Sequence, residues 1–149
     1  EKGLFPYTPA TSLLYGLKEA LRLLHNEGLK NVYDRHGRLA KATRVAIDAW
    51  GLENLCRNPD EYSNSCTAVM MPEGFDADNL RKIILEKFNM SLGTGLGKVK
   101  GRIFRIGHLG DFNELTLIGT LGGVEMGLGL AGIPHSKGGI NAAMEFLSL

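Results

Sequence analysis

The sequence predicts an α+β domain in which a small, mostly antiparallel sheet carries helices packed on one face. Three observations lead there. Apolar residues recur at helical spacing in five stretches, four short stretches read as strands between turn residues, and the first two strands are close enough in sequence to pair as a hairpin. The resulting order is helix, helix, strand, strand, helix, strand, strand, helix, helix. At 149 residues, 44% hydrophobic and 22% charged, the chain is long enough to bury a core and has ordinary globular composition.

Residues 1–11 hold Pro6 and Pro9 and read as extended, because a residue before proline is biased away from the helical region. The first helix is expected over 12–26, with Leu13, Leu14, Leu17, Ala20, Leu21 and Leu24 at helical spacing and Gly28 just past its end. A leucine stripe of that kind needs cover, so self-association through it is expected. The second helix is expected over 29–50, with Val32, Leu39, Ala42, Val45, Ala46 and Ala49 inward and Gly51 as the stop. Arg35, Arg38, Lys41 and Arg44 recur every three residues along it and read as a solvated face; His36 beside them has no carboxylate at i±4.

Strands are expected over 52–56 and 66–71, joined by a polar loop containing Asn58-Pro59-Asp60. Asp76 is a candidate N-cap for a third helix that buries Leu80, Ile83, Ile84 and Phe88, followed by a third strand over 89–92. The glycine-rich run 93–98 matches neither GxGxxG nor Gly-Lys-Ser/Thr, and a strand follows it, so it reads as a flexible connection and not a phosphate loop.

Residues 102–106 alternate polar and apolar, which places Arg105 on one strand face with Ile103 and turns Phe104 and Ile106 to the other. Asp111 and Glu114 have the spacing of a capping box before a fourth helix, 111–130, whose interior glycines require close packing against a neighbour. A last helix is expected over 140–147. His135, Ser136 and Lys137 lie in a glycine-rich turn, without a third partner for a triad or an apolar pocket for a reactive lysine.

Seventeen basic and sixteen acidic side chains give a net charge of +1, which supplies neither a field for nucleic acid nor a polybasic membrane patch. No apolar run approaches the ~18 residues of a membrane span. Cys56 and Cys66 show no metal-ligand spacing and read as reduced structural thiols, which suits an intracellular setting. A start at Glu1 without methionine suggests a cut, processed or partial chain.

Arg105 is the candidate binding residue, since a planar, permanently charged guanidinium grips a carboxylate through two parallel hydrogen bonds; on the residues alone, an ordinary surface or locally salt-bridged arginine is the first reading. Its surroundings, Phe104-Arg105-Ile106-Gly107-His108-Leu109-Gly110 with Asn113-Glu114-Leu115, resemble the C-terminal part of class V aminotransferases, and most of all the serine-glyoxylate and alanine-glyoxylate members. Phe5-Pro6-Tyr7-Thr8-Pro9, Leu14-Tyr15-Gly16-Leu17, Ala49-Trp50-Gly51-Leu52, Thr67-Ala68-Val69 and Gly122-Gly123-Val124-Glu125-Met126 agree in order along nearly the whole chain.

The resemblance implies the C-terminal small domain of a fold-type I transferase over 29–149, with 1–28 as the end of the large domain. It implies that Arg105 binds the carboxylate of an amino-acid or 2-oxo-acid substrate: serine, alanine or glyoxylate. Pyridoxal 5'-phosphate is the implied cofactor, and Thr8 would reach its phosphate across a homodimer interface. Where some relatives carry a tyrosine three residues before that threonine, this chain has Phe5, so that phosphate contact is absent or left to Tyr7. The family's Schiff-base lysine falls before residue 1, so the chain alone is expected to be inactive. The compartment implied is the cytoplasm, or the peroxisome in a eukaryote. The alternative is a stand-alone, non-catalytic α+β binding module using Arg105 for an anion.

Overall fold

A computed structural model describes residue 3 and residues 5–149, in two compact units divided between Arg35 and His36. Of the expected extended segment, positions 1, 2 and 4 lie outside the described residues.

In the first unit, helix α1 (Thr11–Glu27) ends at Gly28, whose φ of +83° is open to glycine at no steric cost. None of its residues is buried: Leu13 is 75% exposed, Leu14 43%, Leu17 54% and Leu21 56%. Helix α2 (Leu29–Trp50) follows at once. Arg35 reaches back from it to Glu27 with two hydrogen bonds, Nε to Oε1 at 2.7 Å and Nη2 to Oε2 at 2.9 Å.

The second unit holds the sheet. Strands β1 (Glu53–Asn54), β2 (Cys66–Met70), β3 (Gly93–Thr94) and β4 (Ile103–Gly107) pair in the order β1-β2-β4-β3, every pair antiparallel. Helices α3 (Ala77–Phe88), α4 (Glu114–Leu130) and α5 (Gly139–Leu147) complete the expected order of elements. Val69 lies opposite Phe104 and Thr67 opposite Ile106, all four buried on one sheet face. Val69, Phe104 and Ile106 share a core with Leu39, Ala46 and Trp50 of α2, Leu80 and Ile84 of α3, and Leu117, Leu121 and Leu128 of α4. The other face carries Cys66, Ala68, Met70 and Arg105, each only part-buried.

Three details differ from the sequence expectation. The third strand is Gly93–Thr94, not 89–92, because Asn89 caps α3 in the left-handed region (φ +51°) and the chain must turn before it can pair. The run 93–98 is therefore anchored at its start, where Gly93 and Thr94 pair with β4, and is not a loose connection throughout. The α4 cap is Asn113, whose Oδ1 accepts the Thr116 amide at 2.9 Å; Asp111 lies outside the helix, and Glu114 turns to pair with Arg38. The basic run is not a plain solvated face: Arg35 holds Glu27, Arg38 holds Glu114 and the Leu147 carbonyl, Lys41 sits over the Phe146 ring and Arg44 over Tyr62.

The glycines of α4 separate into two kinds. A Cβ at Gly127 would stand 2.3 Å from Ile84 Cγ1, and one at Gly123 would stand 2.6 Å from Met90 Cε, so bare backbone lets α3 and the residues after it pack close. Gly119 and Gly129 face open space. Gly119→Ala is thus expected to raise unfolding stability by roughly 0.5–1 kcal/mol, and Gly127→Ala to lower it by about 1–3 kcal/mol. Urea denaturation of both variants checks the pair, and equal shifts of one sign would refute the packing argument.

Both cysteines are free. No helix among the described residues is long and apolar enough to cross a membrane, and no cluster of three or more potential metal ligands occurs among them.

Candidate functional site

Arg105 sits in the middle of β4, opposite Ala68 of β2 on one side and Gly93 of β3 on the other. Alternation along the strand sends Phe104 and Ile106 into the core and leaves Arg105 part-buried on the opposite face. Ile103, on the Arg105 face, is nonetheless buried, because the backbone after β3 folds over it: a Cβ at Gly95 would come within 2.8 Å of Ile103 Cγ1.

No carboxylate pairs with Arg105 among the described residues, in contrast to Arg22, Arg35, Arg38 and Arg81, which all hold acids. Its Nε is buried without a hydrogen-bond partner. An arginine in a folded protein ordinarily finds an acceptor, so this guanidinium stands apart from the acid-paired ones. A mostly apolar cavity of about 280 Å³ opens at the start of β2, lined by Ala68, Cys66, Tyr62, Cys56, Asn54 and Arg44 among others; Ala68 is the register partner of Arg105, which itself is not part of the lining. No pattern in the residues marks this cavity, because its lining is assembled from α2, β1, β2 and the loop between the strands.

The turn that follows β4 is pinned by two histidines. The His108 ring is fully buried and neutral: its Nδ1–H donates to the Asn64 carbonyl at 3.2 Å and its Nε2 accepts the Thr67 hydroxyl at 2.9 Å. Burial, with the Arg44 charge nearby, outweighs the Asn64 carbonyl and depresses its pKa from 6.5 to about 4. His36 is also buried and accepts the Gly110 amide at Nε2. Sequence reading found no role for His36, because its partner is a backbone amide 74 residues away.

Tyr7 and Thr8 lie in the first unit and Arg105 in the second. Tyr7 is 86% exposed and Thr8 is exposed as well, and neither hydroxyl has a hydrogen-bond partner among the described residues. Two unengaged donors on an exposed segment fit a phosphate as contributors to a site and do not enclose one. Lys137 is exposed, and His135 donates from Nδ1 to the Ile133 carbonyl at 2.8 Å, so neither forms a reactive centre with Ser136.

No family model matches the chain. Among curated proteins, serine--glyoxylate aminotransferase of Methylorubrum extorquens is 49% identical over 146 residues, which are 97% of this chain and 36% of the relative. The Arabidopsis thaliana serine--glyoxylate aminotransferase is 50% identical over 144 residues, again 36% of its length. The chain thus spans a little over a third of the relatives it matches. Among solved structures, pyridoxamine-pyruvate aminotransferase from Mesorhizobium loti superposes with a TM-score of 0.92 at 33% identity, over 99% of this chain and 38% of that one. With relatives of this identity along its whole length and the same helix and sheet arrangement, the chain belongs to the class V aminotransferases and corresponds to their C-terminal domain.

Proposed function

We propose that this chain is the substrate-gripping part of a pyridoxal-phosphate-dependent aminotransferase that moves an amino group from serine or alanine to glyoxylate. The observation that carries the reading is Arg105, an arginine without an acid among the described residues, standing at the centre of the sheet face turned away from the helices. Its part is to fix the carboxylate of the amino-acid or oxo-acid substrate, and so to hold the reacting carbon in one pose. When bound, the cofactor supplies the electron sink for the exchange. Thr8 and Tyr7 donate hydroxyl hydrogen bonds to the phosphate of the partner subunit's cofactor. Residues 29–149 act as the small domain and 1–28 as the join to the large one. The exposed leucine stripe of α1 is consistent with a homo-oligomeric assembly, and sedimentation of the isolated chain is expected to show species larger than a monomer.

The direct test replaces the matching C-terminal segment of the Methylorubrum extorquens enzyme with this chain and measures serine–glyoxylate transamination. The chimera is expected to be active, and Arg105→Ala to lower kcat/KM by about a hundredfold, the scale of a lost charge-assisted pair of hydrogen bonds. The isolated chain, having no enclosed lysine among the described residues, is expected not to transaminate. An Arg105→Ala chimera as active as its parent would remove the basis for the assignment.

A further inference from the structure

Arg105 and Gly93 stand directly opposite each other in the register of β4 and β3. A Cβ at position 93 would lie 3.0 Å from both Cβ and Nε of Arg105 and 3.5 Å from Cζ. The arginine stem therefore leans over bare backbone, at a separation from which it would have to give way by a few tenths of an ångström to any side chain. Of the three guanidinium nitrogens only Nε is closed off, buried and without a partner. In a side-on grip Nε and one Nη share the carboxylate; in an end-on grip both Nη groups do. With Nε shut against β3, only the end-on grip remains.

Strand β3 is in no position to step aside. Arg81 of α3 donates from Nε to the Leu92 carbonyl at 2.8 Å and from Nη1 to Asp78 at 2.8 Å, and Asp78 in turn accepts the Thr94 hydroxyl at 3.0 Å. Beyond the strand, a Cβ at Gly95 would meet the Val99 carbonyl oxygen at 2.1 Å, so the segment is closed tightly on itself. An extra methyl group at position 93 must then displace the guanidinium and not the backbone.

We propose that Gly93 is a positioning residue: by lacking a side chain it lays the Arg105 guanidinium against β3, closes Nε, and leaves the two Nη groups to receive a single substrate carboxylate end-on. The proposal rests on Arg105 being the carboxylate grip. It makes Gly93 responsible for the direction of that grip, and Arg105 for its existence.

Two measurements test it. In the full 149-residue chain, solvent exchange of the Arg105 Nε–H is read by NMR with and without Gly93→Ala. In the chimera, KM for serine is compared for Gly93→Ala with Arg105 in place and with Arg105→Lys. The expected result is exchange at least about tenfold faster, together with a KM raised about tenfold beside Arg105 and less than about twofold beside lysine, kcat changing less in both. Unaltered exchange overturns the proposal, and so does an equal rise of KM in the two backgrounds, which would mark a merely structural glycine. If Arg105→Ala raises KM and Gly93→Ala does not, the glycine's role alone falls. If Arg105→Ala leaves KM untouched, the carboxylate reading falls and takes this inference with it.

Discussion

Replacing Glu125 with alanine is expected to lower the unfolding free energy of the chain by roughly 3–5 kcal/mol, from three hydrogen bonds to one charged group. Glu125 projects from α4, and its Oε2 accepts the Trp50 indole N–H at 2.7 Å and the Ile140 amide at 3.1 Å, while Oε1 accepts the Gly138 amide at 3.0 Å. Burial by itself would raise its pKa, yet the indole and the two amides outweigh burial and hold the carboxyl below its ordinary value. One carboxylate thus ties α2 to α4 and satisfies the start of α5, a nine-residue helix with a glycine and no side-chain cap at its N-cap position. No substitute is at hand, because Trp50 is 1% exposed and a Cβ at Gly139 would stand 2.2 Å from its Nε1. Glu125→Gln keeps the shape and loses the charge, so a smaller loss of about 1–2 kcal/mol is expected. Trp50 is the only tryptophan and lies at the junction, so its fluorescence in urea reports the loss directly. An alanine variant within about 1 kcal/mol of wild type would leave the carboxylate without the structural role assigned to it.

Acid should weaken the chain well before its carboxylates are protonated. The His108 pKa is depressed to about 4 in the folded state against 6.5 for the free side chain. Between those values the unfolded chain binds a proton that the folded chain refuses, so stability rises with pH across the window. The contribution is complete above pH 6.5 and is lost as pH falls toward 4, amounting to about 2–3 kcal/mol between pH 7.5 and 4.5 at fixed temperature. Thr67 and Asn64 remain as the partners of a ring that must then carry a charge without water. His108→Gln is expected to fold less stably at pH 7.5 and to lose most of this slope. Urea midpoints at the two pH values read it, and an unchanged slope in the variant would assign the acid sensitivity elsewhere.

The helical part of the fold was legible wherever glycine marks a boundary. Helix α2 begins and ends where the sequence places it, because Gly28 and Gly51 both take left-handed φ values, +83° and +74°. Legibility failed where two residues of one type compete or where the partner is distant in sequence. Asp111 and Asn113 are both capable caps, and the Arg38–Glu114 ion pair, which spans 76 residues, is what takes Glu114 out of the expected box. The basic run misled for a geometric reason: three-residue steps drift by about 60° each around a helix, so Arg35 and Arg44 end on opposite sides. Strand β3 is two residues long and contains a glycine, which leaves no alternation to read. Arg105 was legible because alternation fixes its face; Gly93 was not, because only the strand register brings it opposite.

The close approach of α3 and α4 also has a bearing on how this family can vary. A glycine codon has no missense neighbour smaller than alanine, so every single-step change at Gly123 or Gly127 adds at least one carbon where Met90 or Ile84 already stands. At Gly127 that carbon meets Ile84 Cγ1, close to the backbone of α3, so a change there calls for a smaller residue at position 84, whereas at Gly123 it meets the far end of Met90, which can swing aside.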